Sequence, residues 1–205
     1  SASIKMCISL VANKVFDSAA SGDLMILQCA LSTGSFGVNT QREEDGMTIL
    51  SLAALNGQDR VVDHLVHKAG ADIGRPSKDG TTPLMFAARS GSLAAIHILL
   101  TNSLAPEKDV NHLNSHQETA LHFACAAGKV NAALTLLQAH ADHGLMNVHG
   151  FSPLMIAVCE KRENNTCSQL ADTLLRCGAD VRLAGKRSGM TVLPVFSLCC
   201  PLVLK

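Results

Sequence analysis

Six histidines, His112, His116, His122, His140, His143 and His149, crowd the third quarter of the chain and are the residue type most often used to hold a metal ion. Eight cysteines accompany them, but no two stand in a C-x-x-C pair and their spacing forms no regular disulfide framework. That usage reads as reduced, intracellular thiols. No Ser or Cys sits in a nucleophile motif or a strand–turn–helix elbow. The adjacent carboxylates Glu43 and Glu44 fall in a polar connection and read as solvated. No glycine-rich loop followed by Lys is present to cradle a phosphate. These patterns lead to the expectation of no catalytic residue, no cofactor and no metal.

The elements that must position these side chains emerge from residues 79 to 100, DGTTPLMFAARSGSLAAIHILL. Thr82 is a helix N-cap type, Pro83 suits the first helical position, and Gly91 suits the stop. Leu84, Phe86, Ala87 and Ala88 form one apolar face, and Leu93, Ile96, Leu99 and Leu100 form a second at helical spacing. Two such faces cannot bury each other completely, so the unit needs neighbours. Aligned on Gly80, further units start at Gly46, Gln117, Gly150 and Gly189. The cap position reads Thr48, Thr82, Thr119, Ser152 and Thr191, and two places later stand Leu50, Leu84, Leu121, Leu154 and Leu193. Ala53, Ala87, Ala124 and Ala157 recur in phase, and Gly57, Gly91 and Gly128 stop the helices. A period of about 33 residues marks one repeat family.

These stretches resemble ankyrin repeats, whose pattern runs G-x-T-P-L-H, then L-A-A, a Gly, and later G-A-D. The last element appears as Gly70-Ala71-Asp72, His140-Ala141-Asp142 and Gly178-Ala179-Asp180. The resemblance covers nearly the whole chain. It implies an all-α solenoid of stacked helix–turn–helix units with short β-hairpin fingers. It also bears on the histidines. His116 and His149 occupy equivalent positions of adjacent repeats, so they stand about 10 Å apart, too far for two ligands of one Zn²⁺ at ~2.0–2.1 Å each. His122 is the His of the T-P-L-H pattern and is expected to hydrogen-bond within its own turn. Cys125 takes a small buried position, and Cys159, aligned with Arg89 and Ala126, faces the inner surface.

The repeats divide a single domain over residues 1–205 into an N-terminal cap (1–45), four units (46–79, 80–116, 117–149, 150–188) and an incomplete or divergent one (189–205). In the cap, Ser18 to Leu31 matches helix–Gly–helix with Gly22 at the stop. Asp17 replaces the residue equivalent to Phe86, which suits an end repeat with one wet face. Thr101 to Asp109 is longer than its counterparts, with a surface bulge expected at Pro106 and Glu107. Glu160 to Thr166 is a polar insertion between the two helices of its unit.

Equal numbers of basic and acidic residues, 17 each, give no reason to expect a nucleic-acid or acidic-membrane surface. No apolar run reaches the ~20 residues that span a bilayer. The resemblance therefore implies a non-catalytic scaffold, monomeric by itself, cytoplasmic or nuclear, that binds a protein partner on its concave surface. Finger residues Arg75, Ser77, Lys78, His112, Asn114, His116, Met146 and His149 are the expected contacts, with Asn56, Arg89, Ser90 and Glu160 at the ends of the first helices. A second reading is a substrate-recruiting subunit of a ubiquitin ligase, with Phe196, Cys200 and Leu204 as a loose C-terminal box that Pro201 interrupts.

Overall fold

The computed structural model describes residues 2–34, 36–159 and 164–180, with side chains except those of 2–10, 164 and 165. The 189–205 unit, its box-like residues and Glu160 lie outside the described residues. Eleven helices follow one another among those described: α1 Ala2–Ser21, α2 Leu24–Ser32, α3 Ile49–Leu55, α4 Asp59–His67, α5 Pro83–Ser90, α6 Leu93–Thr101, α7 Pro106–Val110, α8 Ala120–Ala127, α9 Val130–Gln138, α10 Pro153–Cys159 and α11 Asn164–Arg176.

Thr48, Thr82 and Thr119 hold extended backbone just before α3, α5 and α8, as N-cap residues do. Gly91 and Gly128 end α5 and α8 in the left-handed region. Each first helix then turns back into a second, giving the pairs α1–α2, α3–α4, α5–α6, α8–α9 and α10–α11. First helices pack in the series α1, α3, α5, α8, α10, and second helices in the series α4, α6, α9, α11. The result is an all-α solenoid with one continuous core from Val15 to Ala179. Where first helices meet, Ala53, Ala54, Ala87, Ala88, Ala124, Cys125 and Ala157 are buried, and side chains this short let the backbones approach closely.

The fingers between units are turns. In the finger that joins the 46–79 and 80–116 units the Ser77 N–H donates to Thr81 O (2.9 Å) and the Gly80 N–H to Ser77 O (2.9 Å). The same pair of bonds recurs at Asn114 and Asn147. In the finger that joins the cap to the 46–79 unit the turn is one residue longer, because Arg42 N–H reaches Met47 O. Among the described residues there is no strand, and the hairpin character reduces to one bridge, Gln41 to Thr48. Each finger is tied to the next by a backbone bond: Lys78 N–H to Asp45 O, Ser115 N–H to Asp79 O, and Val148 N–H to His116 O, all 2.9 Å. The turn requires positive φ at its fourth residue. Gly80 supplies it at +79°, whereas Gln117 is held there at +56°. A Cβ on Gly80 would come within 3.2 Å of Asn114 Cα, so the glycine also permits the close finger-to-finger approach.

Three expectations are refined. The first helix of the cap runs back to Ala2, since no Gly or Pro interrupts residues 2–21. The bulge at Pro106 is a helical turn: Pro106 occupies the first turn of α7, Ser103 Oγ bonds Asp109 Oδ2, and Val110 is fully buried. The polar insertion is shorter than Glu160 to Thr166, because α11 already begins at Asn164.

Ala88 has no exposed surface. Ala88→Leu is expected to overpack the α3–α5–α8 seam and cost ~1–3 kcal/mol, measured as a lower urea midpoint at unchanged slope. An unchanged midpoint would show that the seam does not lie at this position.

Candidate functional site

The concave face combines the fingers with the C-terminal ends of the first helices. Those ends present Leu55 and Asn56 from α3, Arg89 and Ser90 from α5, Ala126 and Ala127 from α8, and Cys159 from α10. Repeat register puts these residues in one row, since each pair precedes its helix stop by the same spacing. Asn56 and Arg89 are exposed and Ser90 is half-buried. Asn56 Nδ2 donates to Leu52 O (2.9 Å), and Ser90 Oγ to Ala87 O (3.0 Å). Arg89 forms no hydrogen bond or ion pair among the described residues.

The finger residues separate into two groups. Arg75, Lys78, His112, His116 and His149 are exposed, and Met146 is half-buried. Ser77 and Asn114 are buried and work inside the turn, which takes them off the accessible surface. The single Ser77 hydroxyl proton is shared between two acceptors, Asp79 Oδ1 (Oγ at 2.5 Å) and Thr81 O (2.9 Å). Asn114 Oδ1 accepts from the N–H groups of His116 (2.9 Å) and Glu118 (2.8 Å). Sequence position marks a finger residue without showing which way its side chain turns, and small amide and hydroxyl groups turn inward to satisfy the backbone. Two of the exposed cations are engaged across fingers. Arg75 Nη2 donates to Gln41 Oε1 (3.3 Å), and Lys78 Nζ donates to the carbonyls of Glu43 and Glu44.

Beside Arg89 the face dips into a depression of about 300 Å³ lined by Arg89, Glu118, His122, Phe123, Ala126 and Ala127. Phe123 occupies the register of Phe86, which is buried, yet stays half-buried. Ala126 and Ala127 end at Cβ where Arg89 and Ser90 carry longer side chains, and they line the depression together with Phe123. Sequence reasoning selected polar residues in this row and passed over Phe123, Ala126, Ala127 and Glu118. The signal was available in the same alignment, as small residues following an aromatic. Leu113, next to buried Asn114 and 43% exposed, was missed likewise.

His122 forms the floor of the depression and is buried. The Thr119 N–H and Oγ1 donate to His122 Nδ1 (3.1 and 2.9 Å), and Nε2–H donates to Phe151 O (3.2 Å) of the next unit. Both ring nitrogens are thus held with the proton on Nε2. Burial pushes its pKa below the usual histidine value, against smaller opposing effects of the Phe151 carbonyl and Glu118. At the finger bases, Asp45 is lowered by the hydrogen bond from Arg42. Burial raises Asp79, but bonds from Ser77 and Thr81 outweigh it and leave it lowered. Among the described residues no three His, Cys, Asp or Glu side chains gather as a metal site. No helix among them is long and apolar enough to cross a membrane.

A family model described as ankyrin repeats (3 copies) matches residues 15–111 and 101–185. The mouse B-cell lymphoma 3 protein homolog is 33% identical over 135 residues, 65% of this chain and 29% of that protein. Human B-cell lymphoma 3 protein is 33% identical over 161 residues, 75% of this chain and 34% of the relative. Human neurogenic locus notch homolog protein 1 is 32% identical over 112 residues, 55% of this chain and 4% of the relative. The chain thus spans about a third or less of these relatives' length. A crystal structure of an ankyrin repeat domain from Acinetobacter baumannii AYE superposes with a TM-score of 0.74 at 25% identity, covering 90% of each chain.

Two measurements check this site. Because the pKa of His122 is lowered in the fold, its contribution is complete above the ordinary value near 6.5 and is lost as pH falls below it. The urea midpoint should therefore fall between pH 7.5 and about pH 5.5, and less steeply in His122→Asn; equal slopes would refute the assignment. Thr82 Oγ1 is buried without a partner among the described residues, and Met85 stands where His122 stands in the next unit. Met85→His is expected to cap Thr82 and raise stability by ~0.5–2 kcal/mol at pH 8. A lowered midpoint would count against the equivalence of the two turns.

Proposed function

Since the chain belongs to the ankyrin-repeat family, we propose that it is a non-catalytic scaffold whose concave finger and first-helix surface binds a partner protein. Ankyrin repeats generally mediate protein–protein interaction, and stacked repeats build extended concave surfaces for it. The observation that carries the reading is the row at the first-helix ends, where Arg89, without a hydrogen-bond or ion-pair partner among the described residues, borders an open depression around Phe123. A half-buried aromatic ring near an exposed Arg is the composition of an interface hot spot. The contact set comprises Asn56, Arg89, Ser90, Phe123, Ala126 and Ala127 on the helices. On the fingers it comprises His112, Leu113, His116, Met146 and His149, with Arg75 and Lys78 contributing where a partner displaces their tethers. The thiol usage and the absence of a membrane-spanning helix among the described residues agree with a cytoplasmic or nuclear site of action.

Affinity capture from cell lysate with the full chain tests this when run beside two sets of variants. Arg89→Ala and His116→Ala change the concave face, and Asp63→Ala changes α4 on the opposite side. Partners lost at least about tenfold with the concave set, a change of 1.4 kcal/mol, and retained by Asp63→Ala support the reading. Partners lost only with Asp63→Ala overturn it.

A further inference from the structure

The charges around the depression say what it fits, an inference that rests on the concave-face reading above. Arg89 lies in the last turn of α5, where a cation complements the helix C-terminus, but its head group meets no carboxylate among the described residues. Glu118 reaches the depression from the base of the next finger and lines the same opening. Its neighbour on the floor, His122, is held neutral by burial and by donors on Nδ1, so it does not neutralise Glu118. The Phe123 ring and the side chains of Ala126 and Ala127 line the same depression as the two charges. A volume of about 300 Å³ is at the small end of ligand pockets and suits one large side chain.

We infer that the depression takes a single apolar side chain, leucine or phenylalanine, from a partner segment that flanks it with a carboxylate on the Arg89 side and a cation on the Glu118 side. The apolar chain displaces water from Phe123 and the two alanines. The flanking charges gain ion pairs at the rim and fix the direction in which the segment crosses the face. A segment with two acids meets Glu118 unfavourably, and one with two bases meets Arg89 unfavourably, so charge order carries the selectivity. Of the outer grooves, the one lined by Leu31, Phe36 and Val38 with His64 and Lys68 offers no carboxylate opposite its cations. The one lined by Leu24, Ala94 and Ile98 carries both signs, Asp59 and Asp63 with Arg60 and Lys68, and Asp63→Ala tells it apart from the concave depression.

The probe is a synthetic array of twelve-residue peptides, each with one central Leu, Phe or Ser. The flanks are Asp or Glu, Lys or Arg, or Ser, in both orders. The full chain should retain peptides with an apolar centre and opposite flanking charges, and lose about tenfold when the centre is Ser. Arg89→Glu should shift retention to peptides with two basic flanks, and Glu118→Lys to those with two acidic flanks. The double variant should again retain opposite charges, in reversed order. Ala127→Gln, which fills the depression from an accessible position, should reduce all binding. Circular dichroism melts matching the parent confirm folding of each variant. Charge preferences unchanged by Arg89→Glu and Glu118→Lys overturn the inference. If such binding is still lost with Asn56→Arg or His116→Ala, the concave reading survives. If it is lost only with Asp63→Ala, both fall. No enrichment of apolar-centred peptides over the Ser series also overturns it.

Discussion

A helix pair of this composition cannot bury its own apolar surface, and every other feature of the molecule follows from that deficit. Leu84, Phe86 and Ile96 need neighbours on two sides, so the pairs stack and the core runs unbroken through the units. Stacking demands close approach of first helices, which small residues at Ala53, Ala87, Ala124 and Ala157 permit. Close approach in turn brings successive fingers within hydrogen-bonding reach, and one backbone bond per joint sets their spacing. Apolar burial supplies the free energy, while those bonds set the register.

Most of this was legible in the residues. The caps at Thr48, Thr82 and Thr119, the stops at Gly91 and Gly128, and the phased alanines give units, pairing and burial together, because each depends on interactions within one repeat or with the adjacent one. What sequence could not resolve was conformation decided by a few competing local bonds. Pro106 was read as a bulge marker, whereas here it opens a helical turn that buries Val110. Ser77 and Asn114 were read as outward because finger positions usually face solvent; their polar atoms serve the turn instead.

The candidate site was less legible than the fold for a related reason. A binding surface depends on which side chains fail to find partners, and that is a property of the assembled neighbourhood. Arg75, Lys78 and Arg89 are all cations, yet two are tied to adjacent fingers and the third has no such tie among the described residues. Phe86 and Phe123 share a register but not an environment, since the side chains at the ends of their helices differ in length.

The joints between fingers carry a mechanical consequence. Lys78 to Asp45, Ser115 to Asp79 and Val148 to His116 give one backbone bond at each joint along the stack, beside side-chain bonds between fingers and extensive helix contacts between consecutive units. Such an object behaves as a chain of springs: a load applied to its two ends is felt in full at every joint, and compliance adds from joint to joint. A pull along the stack would therefore open the softest joint first and leave the others closed. Extension would proceed in discrete steps of one unit, with force set by the weakest remaining link rather than by the stability of the whole.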